Sequence, residues 1–242
     1  MKSLIIIPSR MSATRLPGKP LMKINGVSII SHVFKRAQDA NIGEVIVATE
    51  DQEIIDEVKS TGGNAILTSR NHKTGTDRIY EALTKIDRND IDFIMNVQGD
   101  EPDISIIDIK NLDSKMKKNN SKIGTLAAKI SKKETYQDVN MVKVKIKESF
   151  DKNSFPHAQN FKRSIKEKNN VFHHIGIYSY DINTLKKFVS FNQSKNELKN
   201  NLEQLRALDN NININVALAS KSPIGIDTKE DYLAIKKIMK YK

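Results

Sequence analysis

The run Leu4-Ile5-Ile6-Ile7-Pro8 and the segment behind it, Ser9-Arg10-Met11-Ser12-Ala13-Thr14-Arg15-Leu16-Pro17-Gly18-Lys19-Pro20, decide the reading of this chain. Four consecutive branched apolar residues closed by a proline describe a short strand buried on both faces, the kind found in a parallel sheet. Working outward, Ile29, Ile30, Val33, Phe34 and Ala37 recur at helical spacing after an Asn25-Gly26 turn. Glu44 to Thr49 reads as a second strand, and Ile54, Ile55 and Val58 mark a helix that stops at Gly62-Gly63. Ala65-Ile66-Leu67 is a short strand, a helix carries Ile79, Tyr80, Leu83 and Ile86, and Phe93 to Val97 is a fourth strand. Strand and helix in alternation predict an α/β fold with right-handed crossovers.

Beyond residue 122 the pattern changes. Strand-like runs at Gly124 to Ile130, Val142 to Ile146 and His174 to Tyr180 follow with fewer helices between them, which predicts an antiparallel extension. One helix is expected around Leu198, Leu202, Leu205 and Leu208, a strand over Ile212 to Leu218, and a last helix from Lys229, while Ser149 to Asn170 reads as loop. No repeat or long linker divides the chain, so residues 1–242 are expected to form a single domain.

Composition narrows the function classes. The 242 residues hold 40 Lys and Arg against 29 Asp and Glu, a net charge of +11, with no cysteine and no tryptophan. The missing cysteines rule out a disulfide scaffold, a thiolate metal site and a cysteine nucleophile. No apolar run approaches the length of a membrane span, and the opening residues lack a signal-peptide pattern, so a cytoplasmic location is expected. The positive balance admits a nucleic-acid-binding protein as the alternative from another class. However, the lysines are scattered, as in Lys115 to Lys122, and aromatics are 6% with no stacking rings among basic runs. A small anionic ligand suits this composition as well as a polymer does.

Several segments can carry chemistry. In a parallel sheet, ligands sit beyond the carboxyl ends of the strands. Arg10, Arg15 and Lys19 follow the first strand on a loop stiffened by two prolines, which suits a polyphosphate, although an ordinary polar loop reads the same way. Neither G-x-G-x-x-G nor a Walker A lysine is present, which argues against a dinucleotide oxidoreductase and a P-loop NTPase. Gln98-Gly99-Asp100-Glu101 ends the fourth strand and offers carboxylates for Mg²⁺, or an acidic turn before a helix. Asp227 precedes the last helix, where Thr228 and Asp231 form a capping box that Asp227 would only decorate, or where it shares a metal ion with phosphate oxygens. Thr74 and Gly75 open a helix and suit a nucleotide contact; Thr74 with Asp77 also reads as a cap. Strand alternation sends His174, Gly176 and Tyr178 to one face, as a pocket floor would.

Taken in order, these segments resemble the bacterial 3-deoxy-manno-octulosonate (Kdo) cytidylyltransferases. The resemblance runs from Ile6 through Arg15-Leu16-Pro17-Gly18-Lys19-Pro20, Val47-Ala48-Thr49, Ser69 to Arg78, Gln98-Gly99-Asp100-Glu101-Pro102 and Val142-Lys143-Val144. It continues through His174-Ile175-Gly176-Ile177-Tyr178, Leu202-Glu203-Gln204-Leu205-Arg206 and Gly225-Ile226-Asp227-Thr228. It implies a Rossmann-like nucleotide-diphospho-sugar transferase fold, mostly parallel with a smaller antiparallel extension, in an enzyme that is usually a homodimer. It also implies CTP, Kdo and Mg²⁺, with CMP-Kdo made for lipopolysaccharide biosynthesis. Arg10, Arg15 and Lys19 would hold the triphosphate as catalytic cations, with Asp100 as a further catalytic residue. Thr74, Gly75 and Gln98 would line the nucleotide pocket, Asp100 and Asp227 would bind Mg²⁺, and His174, Tyr178, Glu203 and Gln204 would contact the sugar. One departure stands out: where the family carries Tyr-Phe-Ser-Arg, this chain has Asn153-Ser154-Phe155-Pro156-His157. A modified or different acidic sugar, an amino-Kdo for example, is the second reading, and His157 or Arg163 would replace the missing arginine at the sugar carboxylate.

Overall fold

A computed structural model describes residues 1–13, 15–86, 88–131 and 136–239. Thr14 of the cationic loop lies outside them. The chain gathers into two compact units, Met1–Lys110 with Pro223–Lys242, and Asn111–Ser222.

In the first unit the apolar runs become the parallel strands β1 (Ser3–Ser9), β4 (Gly43–Thr49), β5 (Asn64–Leu67) and β6 (Phe93–Asn96), in the order β6-β1-β4-β5. Ile5 faces Val45 on one side and Met95 on the other, and Leu4 to Ile7 are fully buried, as a two-sided apolar run requires. Two residue pairs, β2 (Lys23–Ile24) and β3 (Val27–Ser28), form a hairpin whose Asn25 and Gly26 take φ of 51° and 83°. Helices α1 (Ile29–Asp39), α2 (Gln52–Ser60), α3 (Gly75–Ile86) and α8 (Lys229–Met239) complete the unit. A small core of Ile24, Ile29, Ile226, Ile235 and Met239 takes Leu16 against it, so one residue of the cationic loop packs on the core that holds α8 and the segment before it.

The second unit carries the antiparallel portion. Strands β7 (Ile123–Ala128), β8 (Lys143–Ile146), β9 (Ala158–Lys162), β10 (Val171–Asp181) and β11 (Ile214–Leu218) follow the order β11-β7-β10-β8-β9. Among the described residues of this unit only β11 with β7 is a parallel pair. Among the described residues no helix is long and apolar enough to cross a membrane.

Four elements differ from the sequence reading. The lysine-bearing stretch 106–119 is a helix, α4 (Ile106–Asn119), whose apolar stripe of Ile109, Leu112 and Met116 is diluted by charged neighbours. Helix α5 (Ile182–Ser190) and strand β9 lie in stretches given no such element, β9 within the expected loop. The late leucine-spaced helix is two short ones, α6 (Lys195–Asn200) and α7 (Leu205–Asp209), because Asn201 takes the left-handed region at φ 50° and ends the first.

Candidate active site

The carboxyl ends of β1 and β6 and the start of α3 open on a cavity of about 370 Å³. Its lining includes Arg10, Arg15, Lys19, Thr74, Gly75, Gln98, Asp100 and Asp227, every residue of this unit to which the resemblance gives a role. The loop after β1 folds on itself: the Met11 carbonyl accepts the amides of Ala13 and Gly18, both at 2.9 Å. Asp51, at the N-cap of α2, tethers it by accepting the Met11 amide at 2.7 Å. Gly18 has φ 73°, a conformation that side chains disfavour, and it turns the chain so that Lys19 enters a short 3₁₀ turn. Gly99 lets the other rim approach, since a Cβ there would stand 2.9 Å from the Pro8 carbonyl oxygen.

Lys19 is the hub. Its Nζ donates to Asp100 Oδ2 at 2.6 Å, to the Ile226 carbonyl at 2.7 Å and to Asp227 Oδ1 at 3.3 Å. Arg15 pairs with the other Asp227 oxygen at 2.7 Å. The capping box of α8 is made by Thr228 and Asp231, whose side chains bond each other's backbone amides at 3.2 and 2.9 Å. Asp227 is therefore left for the cations rather than used as the cap. Thr74 caps the start of α3, its hydroxyl accepting the Asp77 amide at 3.2 Å, and the residue also lines the cavity. Gln98 donates to Asn96 Oδ1 at 3.2 Å.

The remaining candidates meet in the second unit. A bulge between Ile175 and Tyr178 interrupts plain alternation on β10, yet the rings of His174 and Tyr178 stay 5.4 Å apart. Thr125 fills the bulge by donating to the Ile177 carbonyl at 2.7 Å and lies 3.1 Å from His174 Nε2. Burial first, then the charges of Tyr180 and Glu203, raise the Tyr178 hydroxyl well above its ordinary pKa, so Glu203 belongs to the same cluster. Gln204 is buried at the N-cap of α7. Arg163 is already engaged, with its guanidinium donating to the carbonyls of Asn200, Val139 and Asn201 at 3.0–3.1 Å. His157 forms a backbone bridge to Asn215, and Phe155 beside it is buried, so this segment is built into the unit beside β11.

A cytidylyltransferase family model matches residues 4–214. A 3-deoxy-manno-octulosonate cytidylyltransferase of Thermodesulfovibrio yellowstonii is 41% identical, with 96% of this chain and 95% of that one covered. This chain belongs to the 3-deoxy-manno-octulosonate cytidylyltransferase family. A protein of the same name from Bartonella henselae is 40% identical over 99% of both chains. A solved structure of a CMP:2-keto-3-deoxy-manno-octonic acid synthetase complexed with CTP matches with a TM-score of 0.90 and 33% identity, covering 100% of this chain and 99% of that one.

Two residues of this cytidylyltransferase cavity were given no role of their own in the sequence reading. Arg78 lines it from α3, held by Glu50 and by Thr68 Oγ1 at 2.6 Å. His72 also lines it and bonds Glu81. Burial alone would raise the Glu81 carboxyl, but hydrogen bonds from Lys85, the Ser69 amide and His72 bring it down to about 2. Glu101, behind Asp100, is pushed up to about 8 by burial and then by the charges of Asp100 and Asp227, so it is largely protonated at neutral pH. Its Oε2 has no partner among the described residues. Charge pattern alone marks Arg78 and His72 only as members of a polar loop; their burial partners lie elsewhere in the chain.

The histidine pair gives a pH prediction for this cytidylyltransferase. Burial, then the charge of Lys143, takes His173 from 6.5 to about 4, and burial, then His173, takes His174 to about 3. The unfolded chain therefore takes up protons first as the solution is acidified. The stability they support is complete above pH 6.5 and is lost as pH falls through about 4 toward about 3. Thermal melts between pH 4 and 7 should show a shallower acid slope for His174→Asn than for the parent; equal slopes would count against the assignment.

Proposed function

We propose that this enzyme activates 3-deoxy-D-manno-octulosonate with CTP, giving CMP-Kdo and pyrophosphate for lipopolysaccharide biosynthesis, in the cytoplasm and as a homodimer. The observation that carries this reading is the Lys19 ammonium joined to Asp100 and Asp227 at one end of a cavity that also presents Arg10 and Arg15. The first unit is assigned to CTP. Arg10, Arg15 and Lys19 would neutralise the triphosphate, and Thr74, Gly75 and Gln98 would hold the nucleotide. The second unit is assigned to the sugar through His174, Tyr178, Glu203 and Gln204, both units serving one nucleotidyltransferase domain.

Among the described residues no group of three or more metal-binding side chains is spaced to hold a metal alone. Asp100 and Asp227 fit Mg²⁺ nevertheless, because that ion takes hard oxygen ligands from one or two carboxylates and fills the rest with phosphate oxygens and water. When bound it would supply charge neutralisation at the triphosphate. In the reaction the sugar C2 hydroxyl oxygen bonds the α-phosphorus of CTP, the bond to the β-phosphate bridging oxygen breaks, and the hydroxyl proton leaves to solvent. Such a transfer is driven by positioning and charge neutralisation rather than by a protein nucleophile.

The test is pyrophosphate release with four nucleoside triphosphates against a panel of 3-deoxy-ulosonic acids that includes amino-substituted ones. CTP with Kdo should be fastest. A preference for an amino-Kdo would keep the cytidylyl transfer and replace the sugar, and no release with any pair would overturn the reading. Sedimentation of the purified chain checks the dimer.

The Arg15–Asp227 pair lies at the surface, with side chains 56% and 49% exposed, so its loss should shift stability by less than about 1 kcal/mol. Arg15→Ala should instead raise KM for CTP about tenfold or more, and Arg15→Lys should recover only part, offering a point charge in place of a fork. Equal KM values for Arg15→Lys and the parent would remove the fork argument.

A further inference from the structure

Arg206 and Glu197 form an ion pair in the second unit that has no part in the proposed reaction. Their side chains are only 2% and 4% exposed. Arg206 Nε donates to Glu197 Oε2 at 2.9 Å and Nη2 donates to Oε1 at 2.6 Å, while the guanidinium carbon lies 4.7 Å from the centre of the Phe188 ring. A buried ion pair is a weak stabiliser compared with apolar residues of the same volume, so the geometry it imposes is the more telling property.

That geometry is the turn carrying Glu203 and Gln204. Helix α6 ends at Asn201, and the carbonyls of Glu203 and Gln204 accept the amides of Arg206 and Ala207 at 3.0 and 3.2 Å. Helix α7 has five residues, too few to hold its own shape. Its place is fixed by Arg206 reaching back to Glu197 on α6. On its other side, Phe188 meets Tyr180 at 5.9 Å, Tyr180 stacks on Tyr178 at 5.9 Å, and Tyr178 stands 5.4 Å from His174. One guanidinium thus braces both arms of the sugar set.

We infer that Arg206, held by Glu197, is a positioning residue for the acidic sugar, setting Glu203 and Gln204 in register with Tyr178 and His174. The inference rests on the sugar role proposed above for those four side chains. Its test is the KM for Kdo and for CTP, measured in parallel on the full chain for Arg206→Lys and Glu197→Gln. Lysine can neither fork nor stack as arginine does. Both variants should raise KM for Kdo about tenfold or more, with KM for CTP within about twofold, since small misplacements of binding groups are costly. An unchanged Kdo constant in a variant whose melt shows it folded, or an equal rise in both constants, would overturn the inference. If Arg206→Lys fails to fold, Phe188→Leu decides, because it removes the stack and leaves the ion pair: a Kdo-selective rise supports the role and no rise overturns it. Glu203→Ala separates the two levels. Should its Kdo constant stay at the parent value, the sugar assignment itself fails; should it rise while the other variants match the parent, only the positioning role falls.

Discussion

Asp100→Asn is expected to lower kcat for pyrophosphate release on the order of 10³-fold or more while leaving the melting temperature nearly unchanged. The substitution keeps the shape of the side chain and removes one negative charge from the oxygen pair assigned to Mg²⁺. Asparagine is a much weaker ligand for a hard cation, and the triphosphate charge would then go uncompensated as the α-phosphorus is attacked. Stability should change little, because the Asp100 side chain is 29% exposed and Lys19 keeps the Ile226 carbonyl and Asp227 as acceptors. Asp227→Asn should behave in the same way, and the double variant should lose less than the product of the two if, as proposed, both serve one ion. Turnover within tenfold of the parent would reject the metal role. A large fall in melting temperature would make Asp100 a structural residue.

Lys143→Met is expected to do the reverse. Lys143 is fully buried, and its Nζ donates to the carbonyls of Asp138, Met141 and Arg163 at 2.5, 2.7 and 2.6 Å. Methionine fills the stem but leaves three carbonyls without that donor. Each such loss costs about 1–3 kcal/mol when the oxygen stays buried, so the variant should be less stable by at least about 3 kcal/mol. For a chain of this size that corresponds to a fall of about 10 °C in melting temperature. The KM for CTP in the folded fraction should stay at the parent value, because Lys143 lies in the second unit and the residues proposed for the nucleotide in the first. Urea unfolding supplies the check, and a loss below about 1 kcal/mol would show that the carbonyls find other donors.

The α/β architecture was legible in the sequence where the apolar pattern was dense. Leu4 to Ile7, Val45 to Ala48 and Phe93 to Met95 became buried parallel strands, and the helical spacing of Ile29, Val33 and Ala37 became α1. It was illegible where charge diluted the stripe, as in α4. It also misled where one residue with a positive φ broke a leucine pattern, as Asn201 does between α6 and α7. The motif segments were equally legible, because each cationic, acidic or hydroxyl cluster is contiguous: Arg10 to Lys19, Gln98 to Asp100 and Thr74-Gly75 each declare their chemistry within a few residues.

What the sequence determined by itself is therefore local: element type, set by side-chain period along one backbone, and the chemical character of each loop. Only the tertiary structure decided which of those groups meet. Lys19 reaches Asp100 across 81 residues of sequence and Asp227 across 208. Nothing in the Val142-Lys143-Val144 stretch announces that the lysine lies inside the unit on three carbonyls, since alternation would place it on a face open to water. The protonated state of Glu101, the neutral His174 and the closed Arg206–Glu197 pair belong to the same class. Each depends on how much water is excluded and which distant charges remain nearby. Desolvation and Coulomb interaction act through space, and packing sets those distances, so no window of sequence contains them.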